Sequence, residues 1–160
     1  MLVRHATPQD AEAFAAVVAA VAEEGWIATQ PPVDVAAFAD RVRAMLASGD
    51  TLFVADDGGR VVGTAGLHGT RAAGVVSLGM SVVAQERGRG HGRALIEAAI
   101  AHARGARCHK IELEVWPDNA RAIALYERFG FAVEGLRRDH YRRRDGSLRS
   151  SQIMALLLGD

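Results

Sequence analysis

Between Val82 and Leu95 the chain reads V-V-A-Q-E-R-G-R-G-H-G-R-A-L, with glycine at three alternate positions, Gly88, Gly90 and Gly92. Glycines at this density leave backbone N–H groups unshielded by side chains. Where such a stretch opens a helix, the free donors and aligned peptide dipoles make a site for anions. Arg87, Arg89 and Arg93 add positive charge around it. A diphosphate is the guest this chemistry suits. A flexible basic turn is the plain alternative, but three alternating glycines are costly at a helix start. A P-loop would need a lysine after its last glycine, and none follows here. A dinucleotide fingerprint would need G-x-G-x-x-G, with an acidic ribose ligand about 20 residues later. The spacing G-x-G-x-G fits neither.

A second group of polar residues follows. In Lys110–Trp116, alternation puts Ile111, Leu113 and Val115 on one face and Glu112, Glu114 and Trp116 on the other. A glutamate beside an apolar cleft has its pKa raised, which suits proton transfer. A solvated strand glutamate is the bland reading. Asn119 precedes a helical stretch and can cap it through its side-chain oxygen. Tyr126 lies seven residues on, in the run A-I-A-L-Y, and reads by itself as an amphipathic core residue. The other histidines (His5, His68, His102, His109, His140) show no metal-ligand spacing, so no metal is expected.

Hydrophobic period gives the elements that must position these residues. Leu2–His5 is a short strand. Thr7-Pro8, with Asp10 and Glu12, starts a helix carrying Phe14, Val17, Val18 and Val21, which Gly25 ends. Trp26–Pro32 is a loop, and a second helix is expected over Val33–Ala47. Strands follow over Thr51–Ala55, Arg60–Leu67 and Val75–Val83, the first two joined at Asp56-Asp57-Gly58-Gly59. Gly90–Arg104 is a helix, Lys110–Trp116 a strand and Ala120–Phe129 a helix. Phe131–Tyr141 and Ser151–Leu158 are final strands around Asp145-Gly146. The order β-α-α-β-β-β-α-β-α-β-β is an α+β fold: a mixed sheet of about seven strands flanked by about four helices.

Composition narrows the function classes. The 160 residues are 49% apolar and 24% charged, enough to bury one core, and residues 1–160 are expected to form a single domain. With 19 basic and 19 acidic residues the net charge is zero, which argues against a general nucleic-acid binder. The charge is uneven: residues 1–86 carry a net −5 and residues 87–160 a net +5. Arg137–Arg149, with six arginines against two aspartates, is the one stretch that suggests a nucleic-acid surface; a solvated hairpin explains it as well. The single Cys108 excludes an internal disulfide and fits a reducing compartment. No apolar run approaches the ~18 residues of a membrane span, and a cytoplasmic location is expected, without membrane partners.

The run Arg87-Gly88-Arg89-Gly90-His91-Gly92 resembles the R-x-x-G-x-G acetyl-CoA loop of the GCN5-related N-acetyltransferase (GNAT) superfamily. Leu113–Phe131, L-E-V-W-P-D-N-A-R-A-I-A-L-Y-E-R-F-G-F, is similar to that superfamily's L-x-V-x-x-x-N-x-x-A-I-x-L-Y-x-x-x-G-F segment. Two motifs in order, about 30 residues apart, point much further than either alone. The resemblance covers residues 75–131 well, the C-terminal end loosely, and residues 1–55 in little beyond element order.

The resemblance implies an acetyl-CoA-dependent N-acetyltransferase. Its acceptor would be a primary amine on a small molecule, an amino acid or a protein N-terminus, with direct transfer in a ternary complex. It gives the amides of Arg87, Gly88, Arg89, Gly90, His91, Gly92 and Arg93 to the cofactor pyrophosphate, and Val82 to the pantetheine arm. Asn119 gains a cofactor contact. Tyr126 becomes the general acid for the thiolate, since a phenol of pKa about 10 can protonate a leaving group of similar basicity. Glu114 becomes the base, with Glu112 or solvent as substitutes. Family loops place Glu24 and Trp26 in the acceptor pocket, Glu24 against the substrate ammonium, with Arg142, Arg143 and Arg144 on the opposite hairpin. An apolar residue is commoner at His91, which is expected to face solvent or a phosphate. A homodimer is common among relatives. A non-catalytic acyl-CoA sensor is the alternative function, and the tyrosine speaks against it.

Overall fold

The computed structural model describes residues 1–159. Seven strands form one sheet in the order β1-β2-β3-β4-β5-β7-β6. They are β1 (Leu2–His5), β2 (Thr51–Asp57), β3 (Arg60–Gly69), β4 (Val75–Val82), β5 (Lys110–Val115), β6 (Ala132–Arg142) and β7 (Leu148–Leu157). The helices are α1 (Ala11–Glu23), α2 (Val35–Ala47), α3 (His91–Gly105) and α4 (Ala120–Arg128). Neighbouring strands are antiparallel except β4 and β5. The expected α+β architecture is the observed one.

Strand alternation divides the core into two layers. On one side of β2, Leu52 and Val54 pack with Phe14, Ala15 and Val18 of α1 and Ala39 and Val42 of α2. On the other, Phe53 and Ala55 join Leu95, Ile96, Ala99 and Ile100 of α3, with Ile111, Leu113 and Met154 of the central strands. Leu52, Leu95, Ile96, Ile111, Leu113 and Met154 are fully buried. Each contributes about 1.5–3 kcal/mol by burial, and Leu113→Ala at the centre would cost roughly 2–5 kcal/mol.

Helix ends follow local chemistry. The second helix begins at Val35, two residues later than the apolar period suggests, because Asp34 Oδ1 accepts from Ala37 N at 3.0 Å and caps it. β6 lies one residue later than expected at each end, and β7 starts three residues earlier, at Leu148, because the ladder continues to the Arg142–Leu148 pair at the turn. β6 also carries bulges between Val133 and Gly135 and between Arg137 and Tyr141. Among the described residues no helix is long and apolar enough to cross a membrane.

Candidate active site

The decisive feature of the sheet is a splay at its centre. β4 and β5 pair only at Val75–Ser77 with Lys110–Glu112. Beyond Ser77, β4 runs on to Val82 along β3, while β5 runs on to Val115 along β7. The wedge between them opens a cavity of about 840 Å³. Leu78, Gly79, Met80, Ser81 and Val82 line one wall, and Glu114, Val115 and Trp116 the other. Backbone of β4 facing the gap has no strand partner, so an extended ligand can pair with it.

The glycine-rich stretch closes one end of this cavity. Gly88 and Gly90 have φ of 77° and 90°, values side chains rarely tolerate, and Gly90 is the N-cap of α3. Gly92 has a different reason. A Cβ there would lie 3.2 Å from Leu125 Cδ2, so glycine lets α4 approach α3. Gly88, Gly90, His91, Gly92 and Arg93 all line the cavity. The N-terminus of a 15-residue helix, with no Cβ at two positions of its approach, fits a diphosphate.

Arg87 also lines the cavity, and its side chain is committed to the protein. Its Nε donates to Val82 O at 2.9 Å, and Nη1 and Nη2 donate to Glu24 at 2.6 and 2.7 Å. The guanidinium holds the Glu24 carboxyl below the usual carboxylate range. Glu24 is therefore committed to the loop and does not line the cavity, contrary to its expected place against a substrate ammonium. Trp26 does line it, with Ile27 and Ala28.

His91 does not face solvent, the first of its two expected places. It is 3% exposed, it lines the cavity, and neither ring nitrogen has a hydrogen-bond partner. As the first residue of α3 it points inward, where the helix meets the sheet. Its Nε2 lies 3.8 Å from Glu86 Oε2. Glu86 is 5% exposed and accepts from Arg60 and Arg89, so Arg89 also braces the loop. The sequence reading missed Glu86 because a single glutamate in a short 3₁₀ turn has no period to mark it as buried.

On the opposite side, Asn119 is buried, lines the cavity, and caps α4 through Oδ1, which accepts from Ala122 N at 3.3 Å. Tyr126 is 7% exposed, packs on Phe131 with ring centroids 5.7 Å apart, and lines the same cavity. Burial pushes its phenol up to about 12. It stays protonated at neutral pH.

Glu114 sits in a network the sequence did not reveal. It accepts from Arg137 Nη1 at 2.8 Å, Tyr141 Oη at 2.8 Å and Ser151 Oγ at 2.6 Å. A carboxylate offers about four lone-pair positions, so roughly one remains for a further donor. Burial, with the bond to Glu114, raises the Tyr141 phenol. Ser151 and Tyr141 both line the cavity. Their signal was present as alternation along the last two strands, but the bulges between them concealed which residues meet. Glu112 does not line the cavity. Arg143 and Arg144 bind the loop after α1, not the cavity; Arg143 Nη1 donates to Ala28 O at 2.8 Å. Arg142 Nη1 reaches Gly146 O at 3.5 Å.

The model of the acetyltransferase (GNAT) family matches residues 17–131. The chain belongs to that family. A mycothiol acetyltransferase from Saccharomonospora viridis is 34% identical over 133 residues, covering 77% of this chain and 42% of the relative. The matched stretches span less than half the length of this and the other curated relatives compared. A crystal structure of ribosomal-protein-alanine N-acetyltransferase from Brucella melitensis superposes with a TM-score of 0.87 at 27% identity, covering 99% of this chain and 100% of that one. yncA from Salmonella typhimurium, a structure with its cofactor acetyl-CoA, shares the fold with a TM-score of 0.86 at 24% identity, over 100% and 95% of the two chains. The seven-stranded sheet and four helices match these GNAT structures along essentially the whole chain.

Proposed function

We propose that the protein is an acetyl-CoA-dependent N-acetyltransferase, carried on one domain, that acylates a primary amine by direct transfer in a ternary complex in the cytoplasm. The observation that carries this is one cavity. It joins the α3 N-terminus, the unpaired edge of β4, a buried protonated tyrosine and a carboxylate. The donor set fits acetyl-CoA: Gly88 and Gly90 leave open space where a Cβ would stand, and the helix end offers free amides to a pyrophosphate. Acetyl-CoA would supply a thioester whose acyl carbon–sulfur bond is exchanged for an amide bond to the amine, coenzyme A leaving as the thiol.

The chain's own residues then have defined tasks. The amides of Gly88–Arg93 hold the anionic end. Backbone near Val82 pairs with the extended arm and directs an N–H at the carbonyl oxygen, where negative charge develops. Glu114, through its remaining lone pair or a water on it, takes the proton the amine loses. Tyr126 Oη gives its proton to the departing sulfur. Tyr126 and Glu114 line the same cavity, so the protons leave and arrive at different groups.

The test is coenzyme A release in the presence of acetyl-CoA and a panel of primary amines. The reading predicts amine-dependent thiol release and an acetylated product of mass 42 Da higher, roughly the acetyl increment in any such transfer. Tight acetyl-CoA binding with no turnover on any amine would favour the acyl-CoA sensor.

A further inference from the structure

We infer that Ser151 and Tyr141 are positioning residues for Glu114, and that they make Oε1 of that carboxylate the atom that takes the amine's proton; this rests on the acetyl-transfer reading above. The donors on Glu114 are not shared evenly between its two oxygens. Oε2 accepts from Ser151 Oγ at 2.6 Å and from Tyr141 Oη at 2.8 Å. Among the described residues, Oε1 accepts from Arg137 Nη1 alone, at 2.8 Å. A carboxylate oxygen has about two lone-pair positions. Oε2 is therefore filled, and the open position belongs to Oε1.

The sheet brings these groups together from three strands. Glu114 lies opposite Ile153 of β7, and Ser151, two residues earlier on β7, lies opposite Arg137 of β6. Cross-strand partners, and residues two apart on a strand, share a face. Glu114, Ser151 and Arg137 thus project on one side of the sheet. Tyr141 joins them through the second bulge of β6. There Arg138, Asp139 and His140 stand against Ser150 alone, so Tyr141 becomes the partner of Arg149. In an unbroken ladder continued from Arg137 and Ser151, Asp139 would take that place. A second carboxylate would then stand on the face of Glu114, where like charges repel. The bulge, with Asp139 at φ 49° and its N–H donating to Ser150 Oγ at 2.9 Å, puts a hydrogen-bond donor there instead.

Both donors are themselves held. Ser151 is 1% exposed, so its hydroxyl proton is committed to Oε2. The Tyr141 ring meets Trp116 and His140 edge-on, with centroids 5.4 and 4.9 Å apart, which fixes where Oη stands. Two fixed donors on one oxygen set the plane of the carboxylate. As the amine nitrogen bonds to the acyl carbon and the carbon–sulfur bond breaks, the nitrogen gives one proton to Oε1 and Tyr126 Oη gives one to the sulfur. The Glu114 side chain is 32% exposed, so Oε1 passes its proton on to solvent, and Tyr126 regains one from solvent after the products leave. The open side of Glu114 is thus the exit for the proton.

The experiment is a double-mutant cycle on coenzyme A release, with acetyl-CoA and the amine of highest kcat/KM in the panel above. Ser151→Ala and Tyr141→Phe are each made in the wild type and in Glu114→Gln. In the wild type each should lower kcat by about tenfold, with the KM for acetyl-CoA within about twofold. In Glu114→Gln, already slow, each should change kcat by less than about twofold, because a residue that acts through the carboxylate has nothing left to act on. A residue that only supports the fold would cost the same in both backgrounds, and that result would overturn the inference while leaving acetyl transfer standing. So would an undiminished kcat in both single variants, or a Glu114→Gln variant as active as the wild type. No amine-dependent release by the wild type, in folded protein that binds acetyl-CoA by calorimetry, would overturn the acetyl-transfer reading and this inference with it.

Discussion

Arg87 and Glu24, 63 residues apart, form a two-pronged ion pair at 2.6 and 2.7 Å that ties the glycine-rich loop to the C-terminal end of α1. The same guanidinium holds Val82 O at 2.9 Å, so one side chain fixes the last residue of β4, the loop and the first helix together. Bidentate pairing of this kind is geometrically specific. Glu24→Ala is expected to weaken acetyl-CoA binding by roughly 3- to 10-fold, the loss of one such charge-assisted contact to loop order. The KM for the amine should move less than twofold. A larger effect on the amine, measured in the same titrations, would return Glu24 to the acceptor site.

Tyr126 is the proposed proton donor. Tyr126→Phe should lower kcat by about 10²-fold or more while acetyl-CoA affinity stays within threefold. Because burial pushes the phenol up to about 12, it keeps its proton throughout neutral and mildly alkaline pH. The kcat of the wild type should therefore show no decline from loss of this acid between pH 8 and 10. A Tyr126→Phe variant with undiminished kcat would contradict the assignment, and a wild-type profile falling through an apparent pKa near 9 but flat in that variant would contradict the raised pKa.

His91 is buried with both ring nitrogens unpartnered. A buried polar group without a hydrogen bond costs about 1–3 kcal/mol, and replacing it by an apolar group of similar shape recovers part of that. His91→Leu is expected to stabilise the fold by about 1–2 kcal/mol, raising Tm by roughly 2–8 °C in a chain of this size. Its backbone amide is retained, so acetyl-CoA binding should survive. Thermal unfolding decides it: a lower Tm would mean the imidazole has a partner in solution.

Asp10 joins β1 to the first helix. It accepts from Arg4 Nη1 and Nη2 at 2.8 and 2.9 Å and from Thr7 N at 2.7 Å. The hydrogen bond from Arg4, foremost, lowers its pKa to about 2 from an ordinary 3.8. A carboxyl depressed on folding stabilises the protein fully above its unfolded pKa, and that contribution is lost as pH falls through the folded value. Chemical denaturation between pH 5 and pH 2 should show falling stability. Asp10→Asn should flatten that slope; an unaltered slope would exclude Asp10 as its source.

The architecture was legible because it rests on local signals. Phe14, Val17, Val18 and Val21 keep a helical period, and Ile111, Leu113 and Val115 alternate; both sets are buried. Gly88, Gly90 and Gly92 marked the helix start, though at Gly92 the approach of Leu125 also leaves little room for a Cβ. What local patterns could not show were partners distant in sequence. Glu24 seemed free for a substrate because nothing nearby in the chain announces Arg87. Glu114 was expected as the base, but nothing near it in the chain announces its bond from Ser151, 37 residues later on the neighbouring strand β7. Local pattern left His91 between solvent and a phosphate, because a histidine in an arginine-rich turn carries no period to mark it as buried at the start of α3.

The measurement that bears most directly on the account is a calorimetric titration of the purified protein with acetyl-CoA. A cavity of this form predicts about one equivalent bound with a Kd in the micromolar range, near −8 kcal/mol. Coenzyme A should compete for the same site. A folded protein that shows no saturable binding would contradict the placement of a diphosphate at Gly88–Arg93 and, with it, every catalytic assignment that depends on the thioester.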